Sequence, residues 1–95
     1  MDIIEETFWL PNSRQIRGAR ALLGFTQEFC AKKAGVSLSS YKRYEGIADN
    51  ETILLIIKYS TVISVINYFQ SCGIQFGNSD QTIFLSFSQS KVVAI

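Results

Sequence analysis

The stretch from Arg20 to Glu45 constrains this chain more than any other. Residues 27–44 within it read QEFCAKKAGVSLSSYKRY, two short helical patterns joined by Ala34-Gly35-Val36. Apolar or small residues (Cys30, Ala31, Val36, Tyr41 and Tyr44) fall where two crossing helices would touch. Polar and basic residues (Ser37, Ser39, Ser40, Lys42 and Arg43) fall where the second helix would face outward. The pattern therefore predicts a helix held rigidly by its neighbour, with one polar, cationic face left to solvent.

The flanking residues extend this into a mainly α-helical domain. Pro11 closes an N-terminal arm, residues 1–11. Asn12 or Ser13 can cap a first helix over about Ser13 to Leu23, with Gln15 placed to reach back to Asn12. Ile16, Ala19, Leu22 and Leu23 recur at helical spacing, and Gly24 supplies the left-handed residue that commonly ends a helix. Thr26 caps the second helix and places Glu28 in its first turn; Gly35 permits the sharp turn, and Ser37 caps the third helix, which ends near Glu45-Gly46.

Beyond a loop at 47–50, Asn50 can cap a helix from Glu51 to Lys58, and Ser60 or Thr61 another from Val62 to Ser71, stopped by Gly73. Many residues here are β-branched, so strands compete; capping residues and the helical neighbours favour helix. Ile74-Gln75-Phe76 and Thr82 to Phe87 alternate about the turn-like 77–80, which predicts a short C-terminal β-hairpin, and Gln89 to Ile95 can add an extended tail. Such a hairpin is marginal alone and must pack on the helices or on another chain. The chain thus divides into the arm, a helical domain over 12–72, and strands over 73–95 expected to serve dimerisation.

The net charge is only +1, but its distribution is uneven. Between Arg14 and Arg43 lie seven basic residues and one acidic residue, Glu28, while the other acids sit outside this window. A local excess of this size attracts phosphates even in a nearly neutral chain; ordinary solvated helix faces are the competing explanation. With the outward layout of residues 37–43, it suits a helix laid into a DNA groove.

Other chemistry is poorly supplied. There is no histidine, and Cys30 and Cys72 stand at a spacing that makes neither a zinc cluster nor a disulfide framework. No glycine-rich phosphate loop, nucleophile motif or spaced carboxylate pair is present, so neither catalysis, a metal nor a cofactor is expected. The acidic start MDIIEETFWLP lacks the basic residues of a secretory signal, which predicts a cytoplasmic protein. The apolar run Ile53 to Ile57 is far shorter than the ~20 residues of a spanning helix. Hydrophobic residues nonetheless make up 47% of the chain, rich for its size, which implies apolar surface shared with a partner.

The segment from Ile16 to Gly46 resembles the Cro/repressor-type (XRE-like) helix-turn-helix DNA-binding family of bacteria and their phages. The marks are Arg20-x-x-x-Gly24-x-Thr26-Gln27, Ala31, Gly35-Val36-Ser37 and Tyr44-Glu45-Gly46. A weaker similarity extends through STVISVINYFQSCGIQF, so that the resemblance covers roughly two-thirds of the chain. Tyr41 and Tyr44 stand where aliphatic residues are usual in the family, Cys30 where leucine is common, and Phe29 where a polar residue is frequent.

The resemblance implies a five-helix repressor-like domain in which Arg20 bridges to Glu45. It implies that Gln27, beside Thr26, touches a DNA phosphate, and that Ser37, Leu38, Ser39, Ser40, Lys42 and Arg43 reach DNA. Arg43 is the best candidate for base readout, because a guanidinium can hold guanine O6 and N7 together. Lys42 better suits a phosphate; Leu38 suits a thymine methyl or is simply an exposed apolar residue. The expected function is that of a sequence-specific transcriptional regulator, in the main a repressor, acting on double-stranded DNA as a homodimer. The alternative is an antitoxin-like or adaptor module that binds a partner protein through its apolar C-terminal half.

Overall fold

A computed structural model of the chain describes residues 10–48, 53–77 and 83–85. Among them are five helices, α1 (Ser13–Leu23), α2 (Gln27–Ala34), α3 (Leu38–Glu45), α4 (Ile53–Ile56) and α5 (Tyr59–Ser71), followed by strands β1 (Ile74–Phe76) and β2 (Ile83–Leu85). The protein is mainly helical.

Local chemistry sets the first three helices. Asn12 and Gln15 form a reciprocal capping box: the Gln15 amide donates to Asn12 Oδ1 at 2.9 Å, and the Asn12 amide donates to Gln15 Oε1 at 3.0 Å. Thr26 Oγ1 accepts the Phe29 amide at 3.0 Å, and Ser37 Oγ accepts the Ser40 amide at 3.1 Å. Each cap satisfies an amide that the first helical turn leaves without a backbone partner. Gly35 turns the chain between α2 and α3 at φ 77°, and the following Val36 amide returns to the Ala31 carbonyl at 3.0 Å.

The core forms where these helices meet α5. Ile16 and Ala19 of α1, Cys30 and Ala31 of α2, Tyr41 and Tyr44 of α3, and Val62, Val65 and Phe69 of α5 are all buried, with Ile74 of β1 beneath them. α5 packs on both α2 and α3, and β2 lies against α1. The β-branched content of α5 gives it little intrinsic helicity. Its buried stripe at positions 62, 65, 66 and 69 outweighs that weakness, as burial of an amphipathic face commonly does.

β1 and β2 pair antiparallel in the register Ile74↔Leu85, Gln75↔Phe84, Phe76↔Ile83. The pair does not stand alone. Ile74 is buried, the Phe76 ring meets Phe69 edge-on at 6.3 Å, and Gln15 Nε2 of α1 donates to the Gly77 carbonyl at 2.8 Å.

Several expectations require correction. The fourth helix ends at Ile56 rather than Lys58, and α5 begins at Tyr59 with Lys58 as its N-cap, so neither Ser60 nor Thr61 caps it. Lys58 lies in an extended conformation at φ −61°, ψ 144°, which separates the two helices. Leu22 points away from the core and is 54% exposed, because α1 buries its stripe through Ser13, Gln15, Ile16 and Ala19. The start of the arm, the Asn50 cap, the turn at 78–80, and the stretch from Phe87 through the tail lie outside the described residues.

Candidate nucleic-acid interface

α3 presents two opposed faces. Tyr41, Tyr44 and Glu45 point inward at helical spacing and are buried. Ser39, Lys42 and Arg43 occupy the other side at the same spacing and are exposed. Ser37 is exposed at the N-terminus of the helix, where its hydroxyl lies 3.3 Å from that of Ser39. Ser40 is half-buried, and Leu38 is half-buried against the core. Leu38 thus turns a good part of its side chain inward, whereas Ser39 and the cations project freely.

A polar network anchors the far end of this helix. Arg20 grips the Glu45 carboxylate with two nitrogens, Nε to Oε2 at 2.7 Å and Nη2 to Oε1 at 3.1 Å. Gln27 Nε2 donates to the same Oε1 at 2.9 Å, and Arg17 Nη1 donates to the Glu45 backbone carbonyl at 2.6 Å. Arg20 Nη1 also reaches the Phe25 carbonyl at 3.1 Å. Glu45 therefore ties the end of α3 to α1 and to the start of α2. Arg17 additionally places a cation against the negative end of the α3 dipole.

Burial by itself would push the Glu45 carboxyl up. Hydrogen bonds from Arg20 and Gln27, with the nearby Tyr41 hydroxyl, outweigh it and hold Glu45 below the usual carboxylate range. The hydrogen bond to Glu45 raises the Arg20 guanidinium correspondingly. Desolvation pushes the Cys30 thiol up, as befits a core residue rather than a reactive one.

The two tyrosines that replace aliphatic side chains behave differently. Tyr44 buries its ring and donates its hydroxyl to the Pro11 carbonyl at 2.8 Å, which fastens the segment before α1 to α3. Tyr41 is equally buried, close to Glu45 and Cys30, but its hydroxyl finds no partner in bonding geometry. Burial raises both phenols well above the ordinary tyrosine value.

The structure thus gathers Ser37, Ser39, Lys42 and Arg43 on one outward surface, with Ser40 at its margin. Thr26 and Gln27 mark the start of α2. Thr26 is exposed and caps that helix, and the Gln27 amide is engaged with Glu45. Gln27 Nε2 retains a second hydrogen, so a further acceptor is compatible with this geometry. Of the basic residues in the 14–43 window, Arg17 and Arg20 serve the fold, and Lys33 Nζ sits 5.6 Å above the Phe29 ring. The cationic surface is accordingly smaller than the sequence count implies.

Sequence reasoning missed Arg17. Its spacing of three from Arg20 put it on the same helix face, which was the available signal. Among the described residues, no cluster of metal-ligating side chains occurs, and no helix is long and apolar enough to cross a membrane. Comparison of the chain with protein-family models, curated proteins and solved structures returned no match.

Proposed function

We propose that this protein is a sequence-specific DNA-binding transcriptional regulator, in the main a repressor, with α3 as the recognition helix of a repressor-like helix-turn-helix. The observation that carries this reading is the division of α3 into a buried face, Tyr41–Tyr44–Glu45, and a solvent face, Ser39–Lys42–Arg43. A helix pinned at its end by Arg17, Arg20 and Gln27 projects its outward side chains from a fixed position, which major-groove readout requires. The side chains on that face match the chemistry of a duplex, with a guanidinium for guanine, an ammonium for phosphate, and hydroxyls for either. One such helix reads few base pairs, so the regulator acts as a homodimer on two half-sites about one helical turn apart. It works in the cytoplasm, on DNA.

Selection from a random duplex pool at low salt, followed by gel shifts, tests the reading. A recovered consensus with two-fold symmetry is expected. Failure to enrich any sequence would overturn it.

A second reading, a protein-interaction module of the antitoxin or adaptor kind, draws on a different observation. Leu55 is 83% exposed and Tyr59 55% exposed, with Ile56 beside them. This apolar surface at the α4–α5 junction suits another protein chain, either a second copy or a different partner. Purification from the native source with a stoichiometric second protein would favour the module; a homodimer free of partners would count against it.

A further inference from the structure

The solvent face of α3 carries positive charge that no neighbouring carboxylate balances among the described residues. Lys42 and Arg43 are exposed, and neither has a bonded partner there. Arg17 adds a third exposed cation at the same end of the helix through its bond to the Glu45 carbonyl. The only acids among the described residues are Glu28 and Glu45. Glu45 is buried against Arg20, and Glu28 belongs to the first turn of α2.

The chain enters the fold beside this face. The Tyr44 hydroxyl donates to the Pro11 carbonyl at 2.8 Å, and Ser13 Oγ donates to the Ile47 carbonyl at 2.9 Å. Both bonds fix the segment before α1 against the C-terminal half of α3, the half that bears Lys42 and Arg43. Residues 1–9, which lead into this point, hold Asp2, Glu5 and Glu6 and no lysine or arginine. Fully extended, the chain spans about 17 Å from Pro11 back to Glu6 and about 30 Å back to Asp2. A helix with its side chains is only about 10–12 Å wide, so the acids can reach the outward face of α3.

We infer that the outward face of α3 is the docking surface for the chain's own residues 1–9, whose carboxylates pair with Lys42 and Arg43 and compete with DNA for them. A tether this short holds the segment at a high effective concentration, which favours it over the same segment of a second copy. Exposed ion pairs are individually weak and screened by salt, so the contact yields to a duplex with its denser charge. The segment then acts as a threshold: loose, nonspecific phosphate contacts are suppressed more than a site that also offers base contacts to Arg43. The competition rests on the DNA-binding reading above; the docking does not.

Two measurements on the full chain test this. Carbodiimide coupling joins a carboxylate to an amine only where the two touch. At low salt, digestion and mass spectrometry should find Lys42 joined to Asp2, Glu5 or Glu6, with the product fading as salt is raised. Mixing isotope-labelled and unlabelled chains separates bonds within a chain from bonds between copies. Lys42 joined only to Asp49 or Glu51, joined only between copies, or not joined at all would overturn the docking. The native chain decides this, so the folding of no variant enters.

In the second, DNA affinity is compared between the native chain and the triple variant Asp2→Asn, Glu5→Gln, Glu6→Gln, with Glu28→Gln as the control for a general loss of negative charge. The triple variant should bind several-fold more tightly at low salt, by up to about tenfold, with the gain lost at high salt and the preferred sequence unchanged. An unchanged affinity, or a gain per charge that Glu28→Gln matches, would overturn the competition. If the coupling to Lys42 forms but neither chain selects a sequence, the DNA-binding reading falls and the docking stands.

Discussion

Glu45 accepts two nitrogens of Arg20 across 25 positions of sequence, at 2.7 and 3.1 Å, with the carboxylate side 3% exposed and the guanidinium side 25% exposed. The unequal burial decides what happens when the pair is broken. Arg20→Ala strands a nearly buried carboxylate, with only Gln27 and the Tyr41 hydroxyl nearby to stabilise its charge. The expected cost is about 3 kcal/mol, the low end for a broken buried pair because the removed partner is partly solvated. Denaturant unfolding of the variant measures it. A loss below about 0.5 kcal/mol would show that the pair behaves as an ordinary surface bridge.

The same pair gives stability an acid limb. Glu45 titrates lower in the folded protein than in the unfolded chain. A depressed carboxylate contributes stability that is fully present above the unfolded value, about 4.3 for glutamate, and lost as pH falls through the lower folded value. Stability of the native chain should therefore decline below about pH 4.3. Glu45→Gln should start lower and show a shallower decline. Parallel acid limbs in the two proteins would assign the slope to other carboxylates.

Tyr41 and Tyr44 offer a contrast within one helix. Both rings are fully buried, but only the Tyr44 hydroxyl has an acceptor, the Pro11 carbonyl at 2.8 Å. Tyr44→Phe should cost about 1 kcal/mol, the usual net value of a hydrogen bond. Tyr41→Phe removes a hydroxyl that lies near the Glu45 carboxylate outside bonding geometry, and should cost less than Tyr44→Phe, under about 0.5 kcal/mol. Thermal unfolding of the two variants distinguishes them, and an equal loss in both would mean that Tyr41 has a partner in solution.

Gly35 tests how firmly the turn sets α3. Its φ of 77° disfavours any side chain, yet a Cβ at this position would meet nothing within 4 Å. Gly35→Ala therefore isolates the backbone penalty, about 1–2 kcal/mol, from any clash. Gly35→Asn should recover part of it, since asparagine tolerates the left-handed region. If alanine proves neutral when stability is measured, the turn adapts and α3 is less rigidly placed than its anchors imply.

Legibility in the sequence followed how local the controlling chemistry is. The capping box of Asn12 and Gln15, the caps at Thr26 and Ser37, and the glycine turns are decided within a few residues, and their positions follow from residue type alone. The inward and outward faces of α3 follow equally from helical spacing. The α4–α5 boundary did not, because Lys58 occupies a cap position that residue preferences assign to Ser60 or Thr61. Leu22 misled because periodicity identifies a stripe without showing where the neighbouring element stops. The engagement of Gln27 with Glu45 and of Arg17 with a carbonyl depends on the crossing of three helices, which no spacing rule contains.

The outward face of α3 makes the final prediction. Arg43 and Lys42 are adjacent, exposed and outside the Glu45 network, so removing either leaves the fold's anchors in place. Their heads differ in what they can recognise. A planar guanidinium matches the paired acceptors of guanine, whereas an ammonium on a flexible stem is a point charge better suited to phosphate. At the preferred site Arg43→Ala should cost about 1–3 kcal/mol of binding and relax selection at one base pair of each half-site. Lys42→Ala should weaken all sequences by a similar factor and lower the salt slope by about one. Thermal midpoints of both variants should match the native chain, which separates lost contacts from lost structure. An unchanged consensus from Arg43→Ala would remove that residue from base readout and move the specificity to the Ser37–Ser40 turn.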